Sequence, residues 1–304
     1  MNLKKGIIFA LITAIISGVS IYLNSFAIKE MRDPFIFTTL KNISVALLFS
    51  SILFGSVLGG AIKKLSKKDW FLLLVIGLVG GSIPFLLFFK GLSMGQAASV
   101  GFIHKTLFLW TTFLAVVFLK EKLGKWQFVA LGLLLGGNYL LSGPKSWHFG
   151  SGEIMVFMAT ILWSIEMIIA KIALKNLPPL VISWGRMFFG SLFMIIFLMV
   201  TNRSVGLLDL KQTQLFWVLG TSLILFAYVG FWYQSLKMAP VSLVTSVLVL
   251  GSPITTLLSN FFGGKHYVIP IWSFLTIIFG IIIFAYVLFK REFKSETKKA
   301  FIIR

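Results

Sequence analysis

The sequence predicts an all-α integral membrane protein: ten transmembrane helices built as two inverted five-helix repeats. Three observations carry this expectation. The 304-residue chain is 58% hydrophobic and only 12% charged, with a mean hydropathy of +0.97, whereas soluble domains carry about a quarter charged residues. Its apolar residues fall into ten segments near the ~20 residues that a membrane crossing needs. The two halves also echo one another at a near-constant offset.

The ten segments lie near 6–26, 34–58, 70–91, 97–119, 126–142, 153–175, 179–201, 213–234, 240–262 and 268–289. Short polar separators rich in Lys, Gly, Pro and Asp divide them. Pro179 opens the seventh and Pro240 the ninth, positions where a missing N–H is harmless. Lys4 and Lys5 before the first apolar run could suggest a signal peptide. The length of that run, and the nine spans that follow, favour a retained helix.

The formal charge is +19 and the pI about 10.2, values that elsewhere would suggest nucleic acid. Placing the 28 basic residues on alternating spans removes that reading. Seventeen fall on the face that holds both termini and six on the other, while Lys41, Lys90, Lys105, Lys171 and Arg186 fall within spans. The positive-inside rule then puts both termini in the cytoplasm of a multi-pass cell-membrane protein, with no nucleic-acid partner. The basic tail 291–304 is solvated or touches anionic headgroups.

The repeats are 1–145 and 146–290. "GIIFALITAIISG" (6–18) matches "GEIMVFMATILWS" (152–164), and "GLSMGQAASV" (91–100) matches "SLKMAPVSLV" (235–244). Lys41 stands seven residues past Pro34 as Arg186 stands seven past Pro179, and Gly136 matches Gly280. An odd number of spans per half forces the second half to insert upside down. Inverted repeats of this kind characterise secondary transporters, with the site at mid-membrane between the halves.

On these features the chain resembles the drug/metabolite transporter superfamily, of the ten-helix EamA type. The resemblance rests on the 5+5 layout, Lys41 and Arg186 in the second helix of each half, Trp163, Pro253 midway along the ninth helix, and Glu121 after the fourth. The departures are Leu109 opposite Pro253, Lys265 opposite Glu121, and a first helix without Trp. The resemblance implies a metabolite carrier with a central cavity lined by helices 1, 3, 4, 6, 8 and 9.

Ionisable residues inside spans are costly and are usually functional or paired. Glu166, the single acid well inside a span, is a candidate proton acceptor or amine ligand, or else the ion-pair partner of Lys105 or Lys171. His104 and Lys105 point in neighbouring directions, suiting an anion contact and a titrating imidazole. Lys41 and Arg186 read as a pair of gate or anion contacts, one per face, or as snorkelling cations; Lys90 and Lys171 read as snorkelling. Thr13, Ser17, Ser20 and Asn24 form one polar stripe along the first helix. Ser242, Ser246, Ser252, Thr256 and Ser259 texture the ninth, where Pro253 permits a hinge. Phe108, Trp110, Trp163, Tyr228 and Trp232 are the aromatics of the expected cavity helices.

The substrate-binding set is thus Glu166, Lys105, His104, Trp163, Tyr228, Trp232, Ser17, Asn24, Phe108 and Ser246. The expected function is alternating-access transport of a small polar metabolite, foremost an amino acid or related zwitterion moving outward, with proton coupling through Glu166 or His104. The alternative is an organic-anion or phosphorylated-sugar carrier. The chain has no cysteine, which removes disulfides and thiolate chemistry. It also lacks the H-E-x-x-H, G-x-S-x-G and P-loop patterns. No catalytic residue, metal site or cofactor is expected, nor ATP-driven transport. Gly55/Gly59, Gly77/Gly81 and Gly132/Gly136 suit close helix packing in a monomer or homodimer.

Overall fold

Helix ends fall where capping chemistry places them. In the computed structural model, which describes residues 2–31, 33–57, 59–142, 149–203, 210–262 and 271–302, α1 runs over Leu3–Glu30 and α2 over Pro34–Phe54. Asp33 accepts from the Phe35 amide at 2.8 Å and Pro34 occupies the first helical turn, so α2 starts there. A Ser66–Asp69 capping box starts α3, Lys67–Met94. The fourth span consists of α4a (Ala97–Lys105) and α4b (Leu107–Phe118), and α5 covers Lys125–Ser142. The second half repeats the order as α6 (Ser151–Ala173), α7 (Pro179–Val200) and α8 (Gln212–Met238). It closes with α9a (Val241–Leu248), α9b (Gly251–Phe262) and α10 (Ile271–Ile302). Arg32, Lys145, His148, Lys265, His266 and Arg304 lie outside the described residues.

Nine of these helices, each broken pair taken as one, are long and apolar enough to cross a membrane. The tenth, α5, has 18 residues and starts on Lys-Trp-Gln, which dilutes its hydropathy. It packs along α10 as a peripheral pair behind α4 and α9. The remaining contacts obey the exchange of halves. The α1–α8 packing is matched by α6–α3, that of α1 on α9b by α6 on α4b, and α2 lies against α7. That is the packing two inverted repeats produce.

Both fourth-type helices break, and at equivalent positions 144 residues apart. In the first half the Thr106 hydroxyl donates back to Ile103 O at 2.7 Å while its own N–H is shared between Phe102 O and Ile103 O. Such back-bonding competes with the helical ladder. In the second half the helix opens at Val249–Leu250, just before buried Pro253. Pro253 has no N–H to offer Val249 O, which accepts from the Ser252 amide at 2.9 Å instead. Sequence reasoning expects only the second break.

A third irregularity lies in α3, where Gly77–Ser82 forms a π-helical turn. Gly81 and Gly190 there touch backbone to backbone: a Cβ on Gly190 would come within 2.6 Å of Gly81 O. Gly190→Val should therefore separate α3 from α7 and cost about 1–3 kcal/mol or more by overpacking. Gly132→Val, at a position where a Cβ meets nothing within 4 Å, should be neutral. Thermal unfolding of the two purified variants checks this.

Candidate functional site

Two carbonyls of the π turn organise the centre of the molecule. Gly80 O accepts from the Trp163 indole N–H at 3.0 Å and from an Arg186 guanidinium N–H at 3.1 Å. Gly81 O accepts from the Asn42 amide at 2.6 Å. The Gly80 bonds join α3 of the first half to α6 and α7 of the second, while the Gly81 bond joins α3 to α2. Only glycine fits at position 80, because a Cβ would lie 2.3 Å from Glu166 Cγ.

Glu166 is wholly buried and sits against this knot. Tyr233 donates its hydroxyl to Glu166 at 2.5 Å, and Arg186 approaches to 4.0 Å and also bonds the Tyr233 hydroxyl at 3.4 Å. The pairing of Glu166 with Lys105 or Lys171 considered from sequence is therefore replaced by a Glu166–Tyr233–Arg186 cluster. Sequence reasoning passes over Tyr233. Adjacent to Trp232 in a span rich in aromatics, it carries no signal until the helices are docked.

Two adjoining cavities flank the cluster. The first, about 100 Å³, is lined among others by Ser17, Ser20, Asn24, Lys41, Phe85, Phe88, His104, Trp163, Arg186, Tyr228 and Trp232. The second, about 270 Å³, is lined by Tyr22, Ser25, His104, Lys105, Ser252, Thr255, Thr256 and Ser259 among others. They share Ile21, Asn24, Phe88 and His104. Neither reaches the ~300 Å³ usual for a ligand pocket, but joined they exceed it.

Most of the expected residues meet here, with corrections. Lys41 and Arg186 line the same cavity and do not stand one at each face. Neither snorkels: both are buried, and Lys41 donates to Asn24 Oδ1 at 2.8 Å beneath the rings of Phe37 and Phe89. Lys171 does not snorkel either, since its ammonium donates to Leu236 O and to Ala239 O, the latter at 2.7 Å, at the end of α8. Lys237 returns the arrangement by donating to Leu174 O and Leu177 O at the end of α6. Cations thus cap both helix C-termini. Glu166 is absent from both linings. Phe108 is core, and Ser246 is buried away from the cavities with its hydroxyl unpartnered. Helices α2 and α7 contribute lining that the resemblance did not imply.

The chemistry of the linings is one-sided. Trp163 stands edge-on to Phe85 at 5.3 Å and close to His104 at 5.2 Å, while Tyr228 and Trp232 stack in parallel at 6.0 Å. The cavities are therefore walled by aromatic rings. Among the described residues, the ionisable side chains in the linings are Tyr22, Lys41, His104, Lys105, Arg186 and Tyr228, with no carboxylate. Trp232 Nε1 and Arg186 Nε are buried donors without an acceptor among the described residues.

Carboxylates act instead at the ends of the broken spans. Glu121 accepts from the Val241 amide at 2.8 Å and from the Ser242 hydroxyl at 2.5 Å, capping α9a, and Glu153 accepts from the Gln96 amide at 2.8 Å, capping α4a. Each carboxylate reaches across to the other half.

Arg186→Met should leave the Glu166 carboxyl buried without its cation and cost about 3–5 kcal/mol. Adding Glu166→Gln should recover most of that loss, as a double-mutant thermal-unfolding cycle would read.

The comparisons with known proteins agree with this architecture. A model of the EamA-like transporter family matches residues 4–143 and again 150–287. An uncharacterized transporter from Clostridium kluyveri is 26% identical over 215 residues, covering 67% of this chain and 68% of that one. A solved crystal structure superposes with a TM-score of 0.76 at 16% identity, covering 95% of this chain and all of that one, a likeness of fold. With two matched repeats that together span nearly its whole length, the chain belongs to the EamA-like transporter family and is a multi-pass membrane protein.

Proposed function

We propose that the protein is a secondary carrier of a small organic anion with an apolar or aromatic body, moved by alternating access through the joined cavities. One observation carries the reading. The Lys105 side chain is more than nine-tenths buried, lines the larger cavity, and has no hydrogen-bond acceptor or carboxylate partner among the described residues. An ammonium withdrawn from water without a partner costs several kcal/mol, and a bound carboxylate or phosphate supplies the missing partner. Lys41 adds a second cation and the rings around Trp163 a surface for the apolar body.

The zwitterion expected from sequence fits less well. Its amine needs an acceptor, and Glu166 is engaged by Tyr233 and Arg186 behind the wall. In this reading Glu166 braces α6 against α7 and α8 within the second half and does not ligate substrate.

Counterflow in proteoliposomes with a matched pair tests the reading, for example phenylpyruvate against phenylalanine, which share a body and differ in the amine. Phenylpyruvate should exchange, with phenylalanine slower by tenfold or more. Exchange of phenylalanine alone would overturn the anion assignment. Lys105→Met should abolish exchange and at the same time raise the melting temperature, because it removes an unpaired buried charge. A variant that transports normally would remove Lys105 from the site.

A further inference from the structure

Away from the cavities, the peripheral α5–α10 pair carries a groove on its outer surface. At one end it holds about 450 Å³ lined by Trp126, Phe279, Ile283, Tyr286, Lys290 and Arg291. It continues past Phe279 into a second hollow of about 380 Å³ lined by Leu133, Leu275, Ile278 and Ile282. Trp126 and Tyr286 are 65% and 63% exposed, as aromatics at a membrane interface are. From Phe279 to Lys290 the helix rises about 16 Å, close to half of a ~30 Å hydrocarbon core. The groove is therefore basic at headgroup level, aromatic just beneath, and apolar for the depth of one leaflet.

The sequence around the basic end keeps a net positive charge, with Lys120, Lys122, Lys125, Lys290 and Arg291 against Glu121 and Glu292. Lys122 and Lys125 at the start of α5 are exposed beside it, and Arg291 donates to Lys122 O, which brings the two helix ends together. Of the two acids nearest in sequence, Glu121 has turned its carboxylate inward onto the N-terminus of α9a, and the side chain of Glu292 lies outside the described residues. From this arrangement we propose that the α5–α10 groove is a binding site for a phospholipid with an anionic headgroup, the phosphate held by Lys290 and Arg291 and one acyl chain lying along Phe279 and Ile283.

A second copy of the chain fits the groove less well. A two-fold axis along the membrane normal would bring the same basic cluster of each copy to the same level at the interface, like against like. A phospholipid meets the cations with a phosphate and the apolar run with a chain.

Native mass spectrometry of the detergent-purified full chain, with added phosphatidylglycerol or phosphatidylcholine of identical acyl chains, tests this. Wild type should retain phosphatidylglycerol preferentially. Lys290→Gln should lower the preference about fivefold, the weight of one basic residue near an anionic surface, and K290Q/R291Q should lower it further. Trp126→Leu should weaken both lipids together. Equal retention of the two lipids by wild type, or an unchanged preference in K290Q/R291Q, would overturn the proposal. Because the chain has no native cysteine, Phe279→Cys reports the competing occupant directly. Disulfide-linked dimers that form as readily with phosphatidylglycerol present as without it would assign the groove to a second copy. The Lys290→Gln variant keeps the Arg291 contact to the connection before α5, so its folding is separable from its lipid preference.

Discussion

The centre of the molecule depends on one stretch of backbone, the π turn of α3 that ends just before Pro84 and presents the Gly80 and Gly81 carbonyls to side chains of other helices. Pro84, four residues on, has no N–H to offer Gly80 O, which leaves that carbonyl open to Arg186 and Trp163. It gives the second half of the chain something to hold in the first. Arg186 can then lie deep in the bundle with three kinds of partner: a carbonyl, a tyrosine hydroxyl and a carboxylate. The glycines that permit the turn also permit the approach, since at positions 77, 80 and 81 a Cβ would strike Phe189, Glu166 or the α7 backbone. Irregular backbone at membrane depth is tolerated only where protein or a cavity satisfies it, and here both do.

The same economy governs the two helix breaks. Inverted repeats need not share sequence to share geometry: Thr106 opens one helix by a hydroxyl back-bond and Pro253 the other by a missing donor. The breaks stand together at the larger cavity. A Cβ added at Gly251 would fall 2.9 Å from the Lys105 ammonium, so the buried cation of one repeat occupies the gap opened in the other. Gly251 also lies against Ala14 O and Ser17 Oγ of α1, which ties the polar stripe of that helix to the same junction.

Much of this was legible in the sequence, for reasons that also mark where legibility ended. Spans, repeat and membrane placement follow from hydropathy and offset, which are properties of whole segments. Lys41, His104, Lys105, Trp163 and Arg186 stood out because charge and indole are conspicuous in apolar runs, and the structure gathers them around one pair of cavities. Partners were a different matter. By sequence the candidate partners of Glu166 were Lys105 and Lys171, and only the docking of α6 among α3, α7 and α8 gives it Arg186 and Tyr233 instead. The Thr106 break was invisible because threonine back-bonds in many unbroken helices. The run GLVGGS before Pro84 was the visible trace of the π turn, and its pattern gave no way to tell a π turn from close packing.

The two carboxylate caps come from non-equivalent places. Glu153 belongs to the first turn of α6, whereas Glu121 belongs to the connection after α4. They also differ in solvation: Glu153 is 4% exposed, while Glu121 is only half-buried. Ionic strength weakens an accessible charge–dipole contact far more than a sheltered one. The bundle therefore carries a built-in inequality between its faces despite its near-symmetry. Electrolyte screens the contact on one face and largely spares its counterpart on the other, so added salt loosens the two ends of the bundle unequally.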